Sequence, residues 1–214
     1  MIENIEWLGH DSFRITGSMV VYIDPWHLSK GASPADLVLV THDHYDHLSK
    51  ADIDLVRTAS TVVVGPAEVT SRLKGVNTRT LAPGESVTVA GATITALPAY
   101  NTDKFRDKAA GAVFHPREDG KLGFVLELDG RRIYHAGDTD IIPEMAGMDV
   151  DVALLPVSGT YVMTWQEAVM ACDMLTAGTV IPMHYDAIVG SLHDAQRFAE
   201  GCRLPVEILP STAP

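Results

Sequence analysis

Three histidines and two aspartates are concentrated in THDHYDHLSK, residues 41 to 50, of a chain with nine histidines in all. His42 and His44 are two positions apart, so on an extended segment both side chains point to the same side and can bind one ion. Asp46 and His47 follow where the chain turns towards a predicted helix, and can present a second carboxylate and imidazole nearby. Imidazole and carboxylate ligands suit zinc, with manganese or iron as alternatives. The segment therefore predicts a metal site rather than a solvated polar turn.

Two later segments repeat this arrangement in weaker form. In YHAGDTD, Asp138 follows a predicted strand, and in VIPMHYD, His184 follows another. Taken singly, each is ordinary, because Gly-Asp pairs are common in turns and a lone histidine at a strand end is often structural. Together with the first segment they form a series of metal-ligand types placed after strands.

Composition and charge limit the classes of function. The chain has 214 residues, 46% of them hydrophobic, which predicts one domain over residues 1–214. The formal net charge of −12 argues against a nucleic-acid partner, since such binding needs lysine and arginine to neutralise phosphates. The sequence shows no apolar run near the ~20 residues of a membrane span, and MIENIEWLGH does not resemble a signal peptide. We therefore expect a cytoplasmic protein with no membrane contact, and homo-oligomer formation stays open.

Short strands must position the first cluster. A meander of three strands is predicted first, and LVLV at residues 37–40 is a continuous apolar run typical of a strand buried on both faces. A helix is predicted from about Lys50 to Thr58, with Ser49 as its N-cap. A strand at 61–65 and a short helix at 66–74 follow.

The second half continues with strands and two helices. Strands are predicted at 78–82, 86–90 and 93–98, and a loop from Asn101 to Lys121 is a candidate wall of the active site. A hairpin turning at Asp129-Gly130 leads to strands at 150–157 and 179–183. Helices are predicted at 164–177, with Thr164 as N-cap and closed by Gly178, and at 191–202, before a last strand, VEIL. The order predicts an α+β fold of two mixed β-sheets flanked by helices.

The motifs resemble those of a known family. H-x-H-x-D-H after a buried strand, then G-D-T, then a histidine after a late strand is similar to the metallo-β-lactamase fold hydrolases, in that order and over nearly the whole chain. WLGHDSF, VYIDPW, GFVLELDG and RIYHAGDTD resemble the small ascorbate-6-phosphate lactonase-like branch in particular. The resemblance implies a four-layer αβ/βα sandwich with one or two divalent metal ions at the sheet ends.

The resemblance also implies six metal ligands, which are His42, His44, Asp46, His47, Asp138 and His184. His42 and His44 would bind the first ion, Asp138 would bridge, and the other three would bind the second. Water between two such ions becomes hydroxide near neutral pH and attacks a carbonyl or phosphorus. Asp46 would be catalytic as well, orienting that hydroxide and passing a proton to the leaving group.

One ligand of the family pattern is not at its expected place. The stretch TALPAYN ends in Tyr100-Asn101, where the family usually has a histidine. His115, on the loop, or Asn101 could complete the first site, and with neither of them a single-metal enzyme is expected. His10, in LGHDS, either approaches the pocket or is a turn residue that caps backbone groups.

The expected function is a metal-dependent hydrolase acting on a small ester, lactone or phosphate-bearing molecule. Alternatives are a phosphodiesterase or nuclease using the same metal centre, and a non-catalytic metal-binding protein with a degenerate site. The loop also carries five cations that would suit an anionic small-molecule substrate. The opposing interpretation is that these charges pair with the acidic residues among them.

Overall fold

The computed structural model describes residues 2–212, which form two six-stranded β-sheets. The first sheet has the order β1-β2-β3-β4-β5-β6. Its first three strands are antiparallel, and the pairs from β3 to β6 are parallel. The strands are β1 (Ile5–Gly9), β2 (Ser12–Thr16), β3 (Val20–Ile23), β4 (Ala35–Leu39), β5 (Arg57–Gly65) and β6 (Thr78–Thr80).

The second sheet combines an antiparallel part with a parallel part. In chain order its strands are β7 (Ser86–Val89), β8 (Ala92–Pro98), β11 (Leu122–Leu128), β12 (Arg131–His135), β13 (Asp149–Pro156) and β14 (Thr176–Met183). Their order in the sheet is β14-β13-β12-β11-β8-β7, and the pairs among β12, β13 and β14 are parallel. A separate two-stranded ribbon consists of β9 (Phe105–Asp107) and β10 (Ala112–Val113).

Four α-helices connect these strands: α1 (Lys50–Val56), α2 (Ala67–Thr70), α3 (Trp165–Met174) and α4 (Leu192–Gly201). The predicted N-caps are confirmed. The Ser49 side chain accepts a hydrogen bond from the Asp52 amide, and Thr164 forms a reciprocal capping box with Glu167. Two short 3-10 turns lie at Arg117–Asp119 and Pro143–Met145.

The strand β4 shows why the sheets are covered on both faces. Leu37 and Leu39 pack into the large core between the sheets, whereas Val38 and Val40 face a second cluster that includes Ile53 of α1. All four side chains of the LVLV run are fully buried, as the sequence predicted. Helices α3 and α4 likewise pack through buried side chains against the second sheet. The α+β sandwich of two mixed sheets with flanking helices is therefore confirmed.

Three sequence predictions about local structure are wrong. The segment from Asn101 to Lys121 is not an uninterrupted loop, because it folds into the β9-β10 ribbon and a 3-10 turn. Gly178 does not close α3, since the helix ends at Met174 and Gly178 lies within β14, whose pairing with β13 begins at Thr176. VEIL makes only one bridge, between Val206 and Val180, because the flanking prolines have no N–H for a longer ladder.

Both helices of the first half are shorter than predicted. Helix α1 ends at Val56 because Arg57 already pairs with Ala35 in the first sheet. Helix α2 is a single turn, Ala67–Thr70, followed by turns that lead into β6. Within residues 2–212, no helix has the length and apolar character needed to cross a membrane.

Candidate metal centre

Carboxyl ends of parallel strands supply most of the candidate ligands. Asp24 follows β3, and His42 lies three residues beyond β4. In the second sheet Asp138 lies three residues beyond β12, and His184 follows β14 directly. Parallel strands end at one edge of their sheet, so these side chains gather there. The edges are tied together across the molecule by hydrogen bonds from the Leu122 amide to the Thr41 carbonyl and from the His184 amide to the His10 carbonyl, 3.0 and 3.1 Å long.

Four ligand atoms converge in a first set: His42 Nε2, His44 Nδ1, His115 Nε2 and Asp138 Oδ2. His44 Nδ1 lies 3.0 Å from His42 Nε2 and 3.4 Å from His115 Nε2. Asp138 Oδ2 lies 3.5 Å from His115 Nε2 and 3.8 Å from His42 Nε2. Ligand atoms about 2.0–2.1 Å from a tetrahedral zinc ion lie about 3.3–3.4 Å from one another. The spacing of this set fits one such ion.

The protonation of these imidazoles also fits a cation. Burial lowers the pKa of His42 well below its ordinary value, and burial lowers the pKa of His115 to about 4. Thr41 Oγ1 donates to Asp24 Oδ2 and therefore accepts from His42 Nδ1, which leaves the His42 Nε2 lone pair directed at the cluster. The lone pair of a neutral imidazole is a metal ligand, so these histidines can bind a cation.

A second set lies deeper in the molecule and uses the other oxygen of Asp138. Asp138 Oδ1 lies 3.5 Å from His47 Nε2 and 3.5 Å from His184 Nε2. A carboxylate oxygen of Asp11 completes this set, in which all ligand atoms lie within 4.8 Å of one another. Asp138 therefore faces both sets, one with each oxygen, as expected of a bridging carboxylate.

Supporting side chains orient the buried histidines. Asp24 Oδ2 accepts a hydrogen bond of 2.7 Å from His47 Nδ1, which directs His47 Nε2 towards the cluster. His184 Nδ1 lies 2.9 Å from Ser158 Oγ, so its Nε2 also faces inwards. A carboxylate or hydroxyl behind a ligating imidazole fixes its tautomer and ring orientation. Asp24 thus acts as a supporting carboxylate behind His47.

Asp46 and His10 form a pair at the edge of the second set. Asp46 Oδ2 lies 3.2 Å from His10 Nε2 and 3.8 Å from His47 Nε2. Burial opposes ionisation of Asp46, but the hydrogen bond from His10 and the nearby His47 lower its pKa below the ordinary value. Burial lowers the pKa of His10 to about 4. His10 also lies within 4.8 Å of the ring nitrogens of His47 and His184, so it stands at the centre and not in a distant turn.

Asn101 and His115, the two candidates for the missing ligand, have different positions. His115 is buried and faces the first set, although it comes from the irregular segment after β10. The Asn101 carboxamide is engaged elsewhere: its oxygen accepts from the His115 amide at 3.0 Å, and its nitrogen donates to the Tyr161 carbonyl at 2.8 Å. Asn101 therefore anchors the backbone of the residue that completes the set.

Unusual backbone conformations accompany the cluster. His10, Asp24 and His184 have φ values of 51°, 44° and 58°, in the left-handed region that non-glycine residues seldom adopt. Gly137, before Asp138, has a φ of 64°, and a Cβ there would lie 2.6 Å from the Leu122 carbonyl oxygen. Such strain is found where the surrounding structure must aim particular side chains.

The other three histidines lie outside the ligand sets described above. His135 is buried with both ring nitrogens engaged, by the Asp11 carbonyl oxygen at 2.9 Å and the Gly137 amide at 3.2 Å. His27 is exposed and packs on Trp26, and His193 is exposed on α4, where Arg197 donates to it. Sequence reasoning missed Asp11. Its only local signal is its place beside His10 in the turn between β1 and β2.

A cavity of about 320 Å³ opens above the first set. Its floor is lined by side chains of metal-ligand type: His44, Asp46, His115 and Asp138. Its walls are lined by larger side chains: Tyr45, Phe114, Tyr161 and Ile188. Phe114 and Tyr161 form an edge-to-face pair with ring centroids 4.6 Å apart. The segment that delivers His115 thus also delivers an aromatic wall.

The five cations of the same segment lie outside the lining of this cavity. Lys104 Nζ lies 3.0 Å from Glu167 and 3.2 Å from Asp140. Arg117 pairs with Glu144 at 2.6 Å, and Lys121 pairs with Glu68 at 3.2 Å. Arg106 and Lys108 are exposed. Three of the five cations are thus paired, mostly with acidic residues outside the segment rather than with the acidic residues among them.

Comparisons with known proteins identify the family of this chain. Residues 4–184 match the model of the family described as beta-lactamase superfamily domain. A UPF0173 metal-dependent hydrolase of Methanoregula boonei is 35% identical over 201 residues, covering 91% of this chain and 87% of that protein. Another, of Methanoculleus marisnigri, is 36% identical over 200 residues, covering 91% and 86%.

Solved structures show the same fold. A protein of Parabacteroides distasonis, described as a metal-dependent hydrolase, has a TM-score of 0.83 and 30% sequence identity, covering 97% of this chain and 93% of that chain. Igni18, a metallo hydrolase of Ignicoccus hospitalis, has a TM-score of 0.77 at 24% identity, covering 96% and 94%, which shows the fold alone. On this evidence the chain belongs to the β-lactamase superfamily and is one of its metal-dependent hydrolases.

Proposed function

We propose that this hydrolase carries a binuclear centre, with zinc as its most suitable metal, and cleaves small neutral esters or lactones that bear an apolar group. One observation carries the proposal: two sets of ligand atoms share Asp138 at the floor of a cavity with aromatic and aliphatic walls. Three imidazoles with one carboxylate are a donor set that suits zinc, although manganese or iron tolerates it too.

The metal supplies the reactive chemistry, and the chain supplies the positioning. Divalent ions held by these residues polarise a carbonyl and acidify water. Asp46 borders the cavity with its side chain 15% exposed, so it can accept a proton there and return it to a leaving alkoxide. The contact from His10 Nε2 holds Asp46 in that position.

The walls favour an apolar, uncharged substrate. Tyr45, Phe114, Tyr161 and Ile188 offer contact area to an acyl chain or ring next to the scissile bond. Lysine or arginine side chains in the cavity would add affinity for a phosphate ester, but among the described residues its lining contains neither. An ester or lactone is therefore favoured over a phosphate-bearing substrate, a phosphodiester or a nucleic acid.

A hydrolysis screen of the metal-loaded protein tests this proposal. We expect turnover of acyl esters and lactones, better with a longer acyl group than with acetyl, and little turnover of phosphomonoesters or phosphodiesters. Preference for a phosphodiester would contradict the substrate assignment. A protein that binds no transition metal, or that hydrolyses none of these probes when loaded, would instead support the non-catalytic alternative.

Two variants test the assigned roles. Asp46→Asn should retain its metal and lose at least about 100-fold in kcat, as expected when general acid-base catalysis is removed. Asp43→Asn is the matched control, because Asp43 lies in the same segment but pairs with Arg72 and Lys121. Phe114→Ala should raise KM for the long-chain ester by roughly tenfold, about 1.4 kcal/mol, and leave the acetyl ester little changed.

A further inference from the structure

Asp11 is a buried carboxylate to which the family resemblance assigns no role. It lies in the tight turn between β1 and β2, next to His10, and its side chain is inaccessible to solvent. Among the described residues, neither Asp11 Oδ1 nor Oδ2 has a hydrogen-bond partner. Burying an ionised carboxylate without a partner is costly, so such a group calls for a cation or a proton beside it.

The surroundings of Asp11 point to a cation. One Asp11 oxygen lies within 4.8 Å of the ligand atoms of His47, Asp138 and His184. His47 Nε2 and Asp138 Oδ1 also lack hydrogen-bond partners among residues 2–212. Asp138 Oδ1 lies 3.5 Å from both His47 Nε2 and His184 Nε2, so these polar atoms converge on one point at the spacing of metal ligands. Buried polar groups are normally hydrogen-bonded, so this convergence marks the place of an ion.

A proton shared between Asp11 and Asp138 is the alternative occupant of this space. Two carboxylates so close together repel each other unless a proton or a cation lies between them. The imidazoles of His47 and His184 face the same point, and this combination of residue types favours the cation.

We propose that Asp11 is a direct ligand of the buried metal ion, together with His47, His184 and the bridging Asp138. This assignment rests on the binuclear centre proposed above and adds Asp11 to the ligands of its buried ion. With Asp11 present, the buried ion has four protein ligands without Asp46, which can then act at the cavity. The combination of two imidazoles and two carboxylates is a donor set for a hard or borderline divalent ion.

Titration of the metal-free protein with Co²⁺ tests this assignment, since cobalt spectra report the number and type of ligands. We expect two equivalents to bind to the wild type. Asp11→Asn should bind the pocket-side equivalent normally, bind the second at least 100-fold more weakly, and show altered absorption bands for that second ion. Asp186→Asn is the matched control, because Asp186 is an exposed carboxylate two residues beyond His184, and it should behave as the wild type.

Thermal unfolding separates a ligand from a structural residue. Asn replaces the buried Asp11 carboxyl group with a neutral group of nearly the same shape, so the metal-free variant should unfold at the same temperature as the metal-free wild type or a higher one. Metal should then raise its Tm by less than it raises that of the wild type. Two equivalents bound with wild-type affinity and spectra would overturn the assignment, as would equal destabilisation with and without metal. Failure of the wild type to bind any ion would instead refute the proposed function.

Discussion

The two halves of the proposed metal centre are built differently. The pocket-side half includes His44, which is exposed, and His115, which comes from an irregular segment 71 residues further along the chain. The inner half contains Asp11, His47 and His184, each no more than 1% exposed and placed by strand ends or a tight turn. Loop-borne ligands depend on the contacts that hold the loop, whereas ligands at strand ends share the rigidity of the sheet. We therefore expect an exchangeable outer ion and a firmly held inner one.

Complete removal of metal should have the largest effect. A chelator should abolish activity and release the ions in two phases, the faster from the pocket-side half, because His44 is exposed there. The protein should also lose stability, since an ion at 100 times its Kd contributes about 2.7 kcal/mol. Stopped-flow release monitored with a metallochromic dye, together with calorimetry, measures both effects. Release of both ions in a single phase would remove the distinction between the halves.

Replacement of Asp138, the ligand shared by both sets, should have the second-largest effect. Asp138→Asn affects both halves at once because each Asp138 oxygen faces one set. Metal content should fall below one equivalent. Activity should fall by more than the roughly 10–100-fold expected when a residue that contacts only a ligand, and not the ion, is replaced. Elemental analysis after gel filtration provides the metal content. Full retention of one ion would show that the two halves do not depend on Asp138 equally.

Asp24→Asn should weaken the inner half selectively. Asp24 accepts from His47 Nδ1, and an amide nitrogen in its place cannot accept that bond. We expect the affinity for the inner ion to fall by roughly 10–100-fold, with the outer ion less affected. Isothermal titration of each ion tests this difference. Thr41→Ser, which keeps the hydroxyl that donates to Asp24, serves as the conservative control and should change little.

Asn101→Ala should produce the smallest change, confined to the pocket side. The Asn101 carboxamide anchors the His115 amide, so its loss should let the segment shift. The affinity for the outer ion should fall by up to about tenfold, the low end of the range for a residue that contacts a ligand and not the ion. The inner ion should bind as in the wild type. Competition with a fluorescent zinc chelator measures the two affinities separately. An equal loss at both sites would indicate that Asn101 stabilises the whole fold.

The elements that carry local signals agree best between sequence and structure. The LVLV run, the Ser49 and Thr164 caps and the strand that precedes G-D-T follow from patterns of a few neighbouring residues. The errors occur where distant pairing intervenes. Helix α3 stops at Met174 because β14 must pair with β13, and VEIL stays outside the sheet because its flanking prolines limit the ladder.

The sequence alone determined which residue types gather in H-x-H-x-D-H and that they follow a buried strand, because spacing and side-chain direction are local properties. Only the tertiary structure decided which residues from elsewhere meet them. His115 reaches the first set because Asn101 and the β9-β10 ribbon carry its segment over the pocket, and Asp11 reaches the second because the β1-β2 turn packs beside His184. Contacts between residues so far apart in the chain depend on how the two sheets pack, which no single segment encodes.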